Sequence, residues 1–469
     1  MEFLADGHAV ENVLTLTQEE FQRLQELGQL GQIQVQQQYD PLQNPLPQFV
    51  DPSLLVSQQQ QQPLTPTTTM NNAQNRSSSV KLPEGCLPVD ATMTKEDLVS
   101  RLRRLAKALQ ELKQENEEKF SSLAVHLATP AYFNHASKDV RLLVACCMAD
   151  LFRINAPEAP FQSSELLRDI FLFLTTQLEG LENVNSPLFN RHFYLLENLA
   201  WVKSFNICLD LPVDMNQKVF CQLFRLIFRL ISEQQAPKIK MFMLDMLCPL
   251  ILEADHVSTE LLAILLTQLL PSSKPQPNRR VASKLAEEIV EKTATALQPF
   301  VVKVVHFYIK SKDPLADLPA PMEEEVATLF QRFYDVIYEL QQISPEMLLP
   351  VLPEFRARLE PPWHNKDRLE ATQLLCRLFN LKPDSVDITE SSTTAQSSLI
   401  SQLPELWAAL LKKFKDPHAL IRSAVIQMTS HVFLNHSRHV DDVVGPLKEC
   451  GRDVDENIRF HVVQVHVTC

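Results

Sequence analysis

Three groups of residues in this chain have types and spacing that could do chemistry. His431, His436 and His439 are its densest histidines, and imidazoles on one face can ligate zinc. Their spacings of five and three do not bring all three to one helix face, so no metal is expected. Ser78-Ser79-Val80-Lys81 spells the serine–lysine pattern of acylating enzymes. It falls where the ordered part of the sequence begins, without elements to build a pocket around it. Carboxylates are abundant, as in Glu323-Glu324-Glu325, but that run fits a solvated first helical turn, where acid suits the helix dipole. The seven glycines, Gly7, Gly28, Gly31, Gly85, Gly180, Gly445 and Gly451, cannot be assembled into GxGxxG, GxxxxGK(S/T) or GxSxG, and HExxH does not occur. Dinucleotide-binding, P-loop and α/β-hydrolase chemistry are therefore set aside. No catalytic residue, cofactor or small-molecule substrate is predicted.

Binding chemistry is better represented. Asn155-Ala156-Pro157-Glu158-Ala159-Pro160 joins two helical patterns, over 140–154 and 164–178. Two prolines three apart stiffen it and favour an extended, polyproline-like backbone. A rigid loop loses little entropy on docking a peptide. The alanines leave room for a partner's aromatic side chain, and Glu158 can pair with an arginine or lysine. A plain connector, needing only a stop between helices, explains the same residues. The segment from Phe189 to Lys203 is unusually aromatic. Phe193, Leu196 and Ala200 share a face and should be core, leaving Arg191, Glu197 and Lys203 to reach the surface.

The elements that must position these residues are helical. Seven glycines in 469 residues compare with a usual ~7%, and sheets with tight turns consume glycine. The 31 prolines belong in linkers and at helix starts. From about Met93 the apolar spacing is helical: Leu98, Leu102, Leu105, Leu109 and Leu112 recur at three and four, as do Leu142, Ala145, Ala149 and Phe152. Helices of roughly fifteen to twenty residues follow one another, with longer interruptions at 271–278, 312–321 and 383–398. Residues 1–80, rich in Gln, Pro, Ser and Thr, cannot bury enough apolar area to fold and form a disordered extension. Within it, Thr17 and Glu20 form a capping box ahead of Phe21, Leu24 and Leu27, a short helix that could bind a partner or simply fray. The net charge of −13 attracts no phosphate backbone in bulk, and Lys238 with Lys240, or Lys412, Lys413 and Lys415, read as solvated helix faces. The nine cysteines include no CxxC pair. Cys146, Cys147, Cys208, Cys221, Cys248 and Cys376 read as small buried hydrophobes in a reducing compartment. Without a signal peptide or an apolar run long enough for a bilayer, a soluble intracellular protein is expected.

A repeat fixes the architecture further. Asp416-Pro417-His418-Ala419-Leu420-Ile421-Arg422 is echoed by Asp453-Val454-Asp455-Glu456-Asn457-Ile458-Arg459, 37 residues on. Lys138-Asp139-Val140-Arg141 is a third version, and Asn365-Lys366-Asp367-Arg368 a weaker one. The aspartate is expected to cap the second helix of a pair, and the arginine to lie outward and reach an acid in the neighbouring repeat. The fold class is therefore all-α, a HEAT-type α-solenoid over residues 81–469. A non-repeating helical bundle is the plainer alternative.

Residues Lys138 to Ile154, then Ala156-Pro157-Glu158-Ala159-Pro160, together with Phe189-Asn190-Arg191 through Tyr194-Leu195-Leu196-Glu197-Asn198 to Ala200-Trp201-Val202-Lys203, resemble the Pds-five family of cohesin-associated sister-chromatid cohesion factors. Weaker similarity runs from about Leu82 to the C-terminus, and residues 1–80 do not resemble the family. The resemblance implies a non-enzymatic nuclear scaffold that regulates cohesin on chromatin. Its implied partners are the cohesin complex, Wapl-type release factors and their antagonists, with no membrane. It also implies that Ala156, Pro157, Glu158, Ala159 and Pro160 form a docking site for short Tyr-Ser-Arg or Phe-Gly-Phe motifs. Family members are far longer. The kleisin-binding middle and basic tail fall beyond Cys469, where the last repeat looks cut short, leaving Val462, Val463 and Val465 without a stacking neighbour; a fragment, a truncated isoform or an incomplete gene model would look like this. A transport or adaptor solenoid of the importin or phosphatase-scaffold kind is the competing reading, and an enzyme with an unrecognised site a more remote one.

Overall fold

A computed structural model describes residues 80–113, 120–271, 278–381 and 398–468. Residues 1–79 of the proposed extension with its capping box, the Ser78–Ser79 half of the serine–lysine pattern and most of the interruptions at 271–278 and 383–398 lie outside them.

Among the described residues the regular structure is helical throughout. The main helices are α1 (Lys95–Glu111), α2 (Ser121–Leu127), α3 (Lys138–Asn155), α4 (Ser164–Gln177), α5 (Phe189–Trp201), α6 (Val213–Leu230), α7 (Pro237–Leu247), α8 (Thr259–Leu266), α9 (Arg279–Lys310), α10 (Glu324–Gln331), α11 (Phe333–Ile343), α12 (Asn365–Phe379), α13 (Pro404–Leu411), α14 (Ala419–Asn435), α15 (Val440–Cys450) and α16 (Glu456–Thr468). They alternate between two layers. In the first, α1 packs on α3, α3 on α5, and α5 on α7. The layer continues through Pro249–Leu252 to α9, then through Pro345–Leu348 and the 3-10 turn Leu352–Leu359 to α13 and α15. In the second, α4, α6, α8, α10 and α11, α12, α14 and α16 follow in order. Each helix touches its counterparts in adjacent repeats, the arrangement of a HEAT-type solenoid.

The burial pattern follows the apolar spacing. Leu98, Leu102, Leu105 and Leu109 are fully buried along one stripe of α1. Helix α3 is buried almost all round, from Val140 to Asn155, because it is covered by α1, α5 and α4. Prolines open α7, α13, Pro130–Phe133, Pro249–Leu252 and Pro345–Leu348, where a missing N–H costs little. Two prolines depart from that expectation. Pro299 lies inside α9 and Pro446 inside α15. Helix α9 continues for 32 residues, since Leu297, Val301, Val305 and Ile309 keep one buried stripe across Pro299.

The repeated Asp/Arg pattern works differently from its expected roles. Asp416 and Asp453 sit ahead of their helices and accept from the backbone N–H of His418 (3.0 Å) and Asp455 (2.9 Å); they close the entering turn rather than cap the first helical turn. Arg368 and Arg422 lie inward, while Arg459 stays exposed as expected. Arg368 is 7% exposed and donates to Asp416 of the next repeat. Arg422 donates to both oxygens of Asp453, at 2.9 Å each. The reach into a neighbouring repeat is as expected. For Arg368 and Arg422 the outward pose is not, because the guanidinium also satisfies turn carbonyls. Arg422 donates to the carbonyls of Asp416 and Pro417, Arg459 to those of Asp453 and Val454, and Arg141 to those of His135 and Ala136. Arg141 is on α3, in the first layer, so the third sequence copy marks a first helix of a pair. At the C-terminal end, Val462 and Val465 are buried, with α16 packed on α14 and α15, while Val463 stays exposed.

Candidate functional site

Residues 156–160 connect α3 in the first layer to α4 in the second. Ala156 leaves α3 with φ −51° and ψ 143°, and its bond to Pro157 is cis. The chain turns at 156–157 instead of running extended to Pro160. Pro157 and Glu158 are exposed; Ala156, Ala159 and Pro160 are half-buried, with Ala159 packed on the core.

Both ends of the loop are clamped. Upstream, the Asn155 side chain donates to the Leu151 carbonyl at 2.7 Å. Downstream, Phe161 is 7% exposed and meets Phe152 edge-on at 5.7 Å; Phe152 stacks on Phe171 at 5.1 Å, which leans on Phe205 at 5.0 Å. Ser163 then caps α4 by accepting from the Leu166 N–H at 3.2 Å. Rigidity therefore comes from a buried aromatic chain as well as from the prolines. No cation lies within ion-pair distance of Glu158 among the described residues, so its carboxylate faces solvent.

One fully buried carboxylate on α3 ties three helices together. A single oxygen of Asp150 accepts from Tyr194 Oη (2.8 Å), Asn198 Nδ2 (2.9 Å) and Arg153 (3.0 and 3.2 Å). Arg153 donates onward to the carbonyls of Leu112 and Leu109, at 2.7 and 2.8 Å. The other Asp150 oxygen and Asn198 Oδ1 are buried without a partner. Burial pushes the Asp150 carboxyl up, outweighing the hydrogen bonds from Tyr194 and Arg153. The aromatic segment thus contributes Tyr194 and Asn198 to the core. Leu196 and Ala200 are buried as expected, Phe193 and Arg191 are half-buried, and Glu197 pairs with Lys238 at 3.0 Å. Sequence reasoning passed over Asp150 and Phe161. An aspartate inside the apolar run Met148-Ala149-Asp150-Leu151-Phe152, with an arginine three residues on, was the available signal.

Elsewhere charges are matched internally. Lys240 pairs with Glu288 and Lys415 with Glu449. Lys413 departs from the solvated reading: it is 8% exposed and donates to the Leu359 carbonyl at 2.6 Å. On the second layer, Arg225 meets Glu260 (2.9 Å), Glu325 (2.8 Å) and Glu323 (3.6 Å), and Asp335 bridges Arg332 and Arg377 at 3.0 Å each. His436 is buried, which pushes its pKa down, while His439 pairs with Asp442 and stands edge-on to Trp407. The six cysteines expected in the core, Cys146, Cys147, Cys208, Cys221, Cys248 and Cys376, are buried. Burial pushes the thiols of Cys146, Cys221 and Cys376 up to about 12 and that of Cys248 to about 11.

A two-layer helical repeat of this kind is an α-solenoid, an architecture that presents extended surfaces. The chain belongs to the PDS5 family: residues 96–469 match the family model described as "Sister chromatid cohesion protein PDS5 protein". It is 37% identical over 405 residues to the human sister chromatid cohesion protein PDS5 homolog B, a match covering 85% of this chain and 26% of that protein. It is 36% identical over 403 residues to PDS5 homolog B-B of Xenopus laevis, again covering 85% and 26%. The chain thus spans about a quarter of the length of these relatives. Among solved structures, a Pds5–Scc1 complex superposes with a TM-score of 0.61 at 18% identity, covering 83% of this chain and 56% of that one. At that identity the likeness carries the fold.

Proposed function

We propose that this chain is a non-enzymatic scaffold that regulates cohesin in the nucleus, and that residues 156–160 dock short aromatic motifs of cohesin release and protection factors. The observation that carries the reading is the loop itself, in a chain of the PDS5 family. Pro157 and Glu158 stand in solvent on a turn clamped by Phe161 and Ser163, so little order has to be created on binding. Glu158 has its carboxylate free for the arginine of a Tyr-Ser-Arg motif, and Pro157 offers a rigid apolar edge to the aromatic side chain. Association with the cohesin ring, with chromatin through it, and with Wapl-type regulators belongs to the same proposal.

The test is a titration of Wapl-type Tyr-Ser-Arg and Phe-Gly-Phe peptides against the 469-residue chain and its Pro157→Ala/Glu158→Lys variant. The variant should bind the arginine-bearing peptide at least about tenfold more weakly, ~1.4 kcal/mol, with an unchanged melting temperature. Equal affinities for the two proteins would sink the assignment.

A further inference from the structure

We infer that the chain carries a second peptide-docking site, an apolar socket between α8, α9 and α10 that takes one aromatic or branched aliphatic side chain of an extended acidic peptide. It does not depend on the reading of residues 156–160. Because helices alternate between layers, every turn from a first-layer to a second-layer helix emerges on one edge of the solenoid. The loop at 156–160 is such a turn. So are the residues before α8 and the loop at 311–323, and these two, with α9 between them, enclose a cavity of about 260 Å³.

The floor is made by Val257, Leu262 and Phe330, each at most 4% exposed. Its walls are Phe300, Val304, Phe307 and Leu318, all half-buried. Phe307 stands edge-on to Phe330 at 5.7 Å, and His256 edge-on to Phe300 at 6.3 Å, so the rings hold one another in place. The volume falls below the ~300–1,000 Å³ of a small-molecule pocket and suits one inserted side chain, as in hot-spot recognition. Charge selects the flanks of that side chain. The ionisable groups lining the cavity are Lys303 and His256, and no carboxylate lines it. In a chain of net charge −13, a socket lined by an exposed lysine and a histidine and by no carboxylate complements a peptide with Asp or Glu beside its anchor.

The probe is a fluorescein-labelled peptide, Asp-Ser-Glu-Phe-Asp-Ser, titrated by polarisation against the full chain. Two control peptides replace its Phe by Ala, or its acids by Lys. The Phe peptide should bind saturably, and both controls should bind about tenfold or more weakly. Lys303→Glu should weaken the acidic peptide and favour the Lys-flanked one. Val304→Trp should fill the socket and abolish binding, with its melting curve showing that it folds; Lys303→Glu, at an exposed position, keeps the test decisive if it does not. Pro157→Ala/Glu158→Lys should bind the probe as the parent does. The inference is overturned by no saturable binding at millimolar peptide, by equal binding of the Phe and Ala forms, by indifference to Lys303→Glu, or by loss of binding in the 157/158 variant.

Discussion

Asp150 shows how one buried side chain can hold three helices together. Its accepting oxygen gathers donors from Arg153, Tyr194 and Asn198, and Arg153 carries the connection to the end of α1. Removing the carboxylate takes the shared acceptor away from Arg153, Tyr194 and Asn198 and leaves a cavity, so Asp150→Ala should cost about 3–5 kcal/mol, read as a fall in melting temperature. Asp150→Asn keeps the acceptor and replaces the partnerless oxygen by an amide, and should be much milder. The two forms differ in pH dependence. Burial raises the folded pKa of Asp150 above the unfolded ~3.9, so the folded state holds this proton more tightly. Its favourable contribution is fully present below the unfolded value and is lost as pH rises through the raised folded one. The melting temperature of the parent relative to Asp150→Asn should therefore fall between pH ~4 and that raised pKa and then level off. A flat difference would show that the carboxylate stays charged throughout.

At the scale of the element, the Asp/Arg pattern is where sequence and structure can be compared most closely. Spacing identified the repeat, the helix starts and the link to a neighbouring repeat, because Arg368 and Arg422 do meet Asp416 and Asp453. It did not reveal that Arg368 and Arg422 turn inward, since a guanidinium can equally face water or fill a turn with unpaired carbonyls, and only the tertiary path decides. The same limit applies at residues 156–160. Two prolines announced a stiff connector, but the clamp rests on Phe161, in the connector itself, meeting Phe152 of α3, a contact that no helical spacing encodes. The rungs should differ in strength. Arg422 joins Asp453 and two carbonyls with both partners' side chains 11% exposed, whereas Arg459 is exposed and serves its own turn. Arg422→Ala should cost about 2–4 kcal/mol and Arg459→Ala under ~1, measured by hydrogen exchange at the amides of 416–418 and 453–457.

For the whole molecule, a solenoid's stability is approximately a sum over neighbouring repeats, so damage should stay near where it is done. The rung best placed to test this is Arg368 with Asp416 and Lys413, all under 10% exposed. Arg368 and Lys413 both reach the Leu359 carbonyl, at 3.3 and 2.6 Å, so this cluster fastens the repeat containing α12 to the one containing α14. Arg368→Met keeps the packing volume but removes the charge and the donors, leaving Asp416 with Lys413 at 3.6 Å. The expected cost is about 3 kcal/mol. Faster hydrogen exchange should appear from α12 through α16, while α1 to α8 keep their protection. Peptide affinity at residues 156–160 should change less than twofold, because that loop is braced by Phe152, Phe161 and Ser163 within its own repeat. If exchange instead accelerates along the entire chain, the repeats unfold as one cooperative block, and the loop at 156–160 depends on the integrity of the whole solenoid rather than on the repeats that carry it.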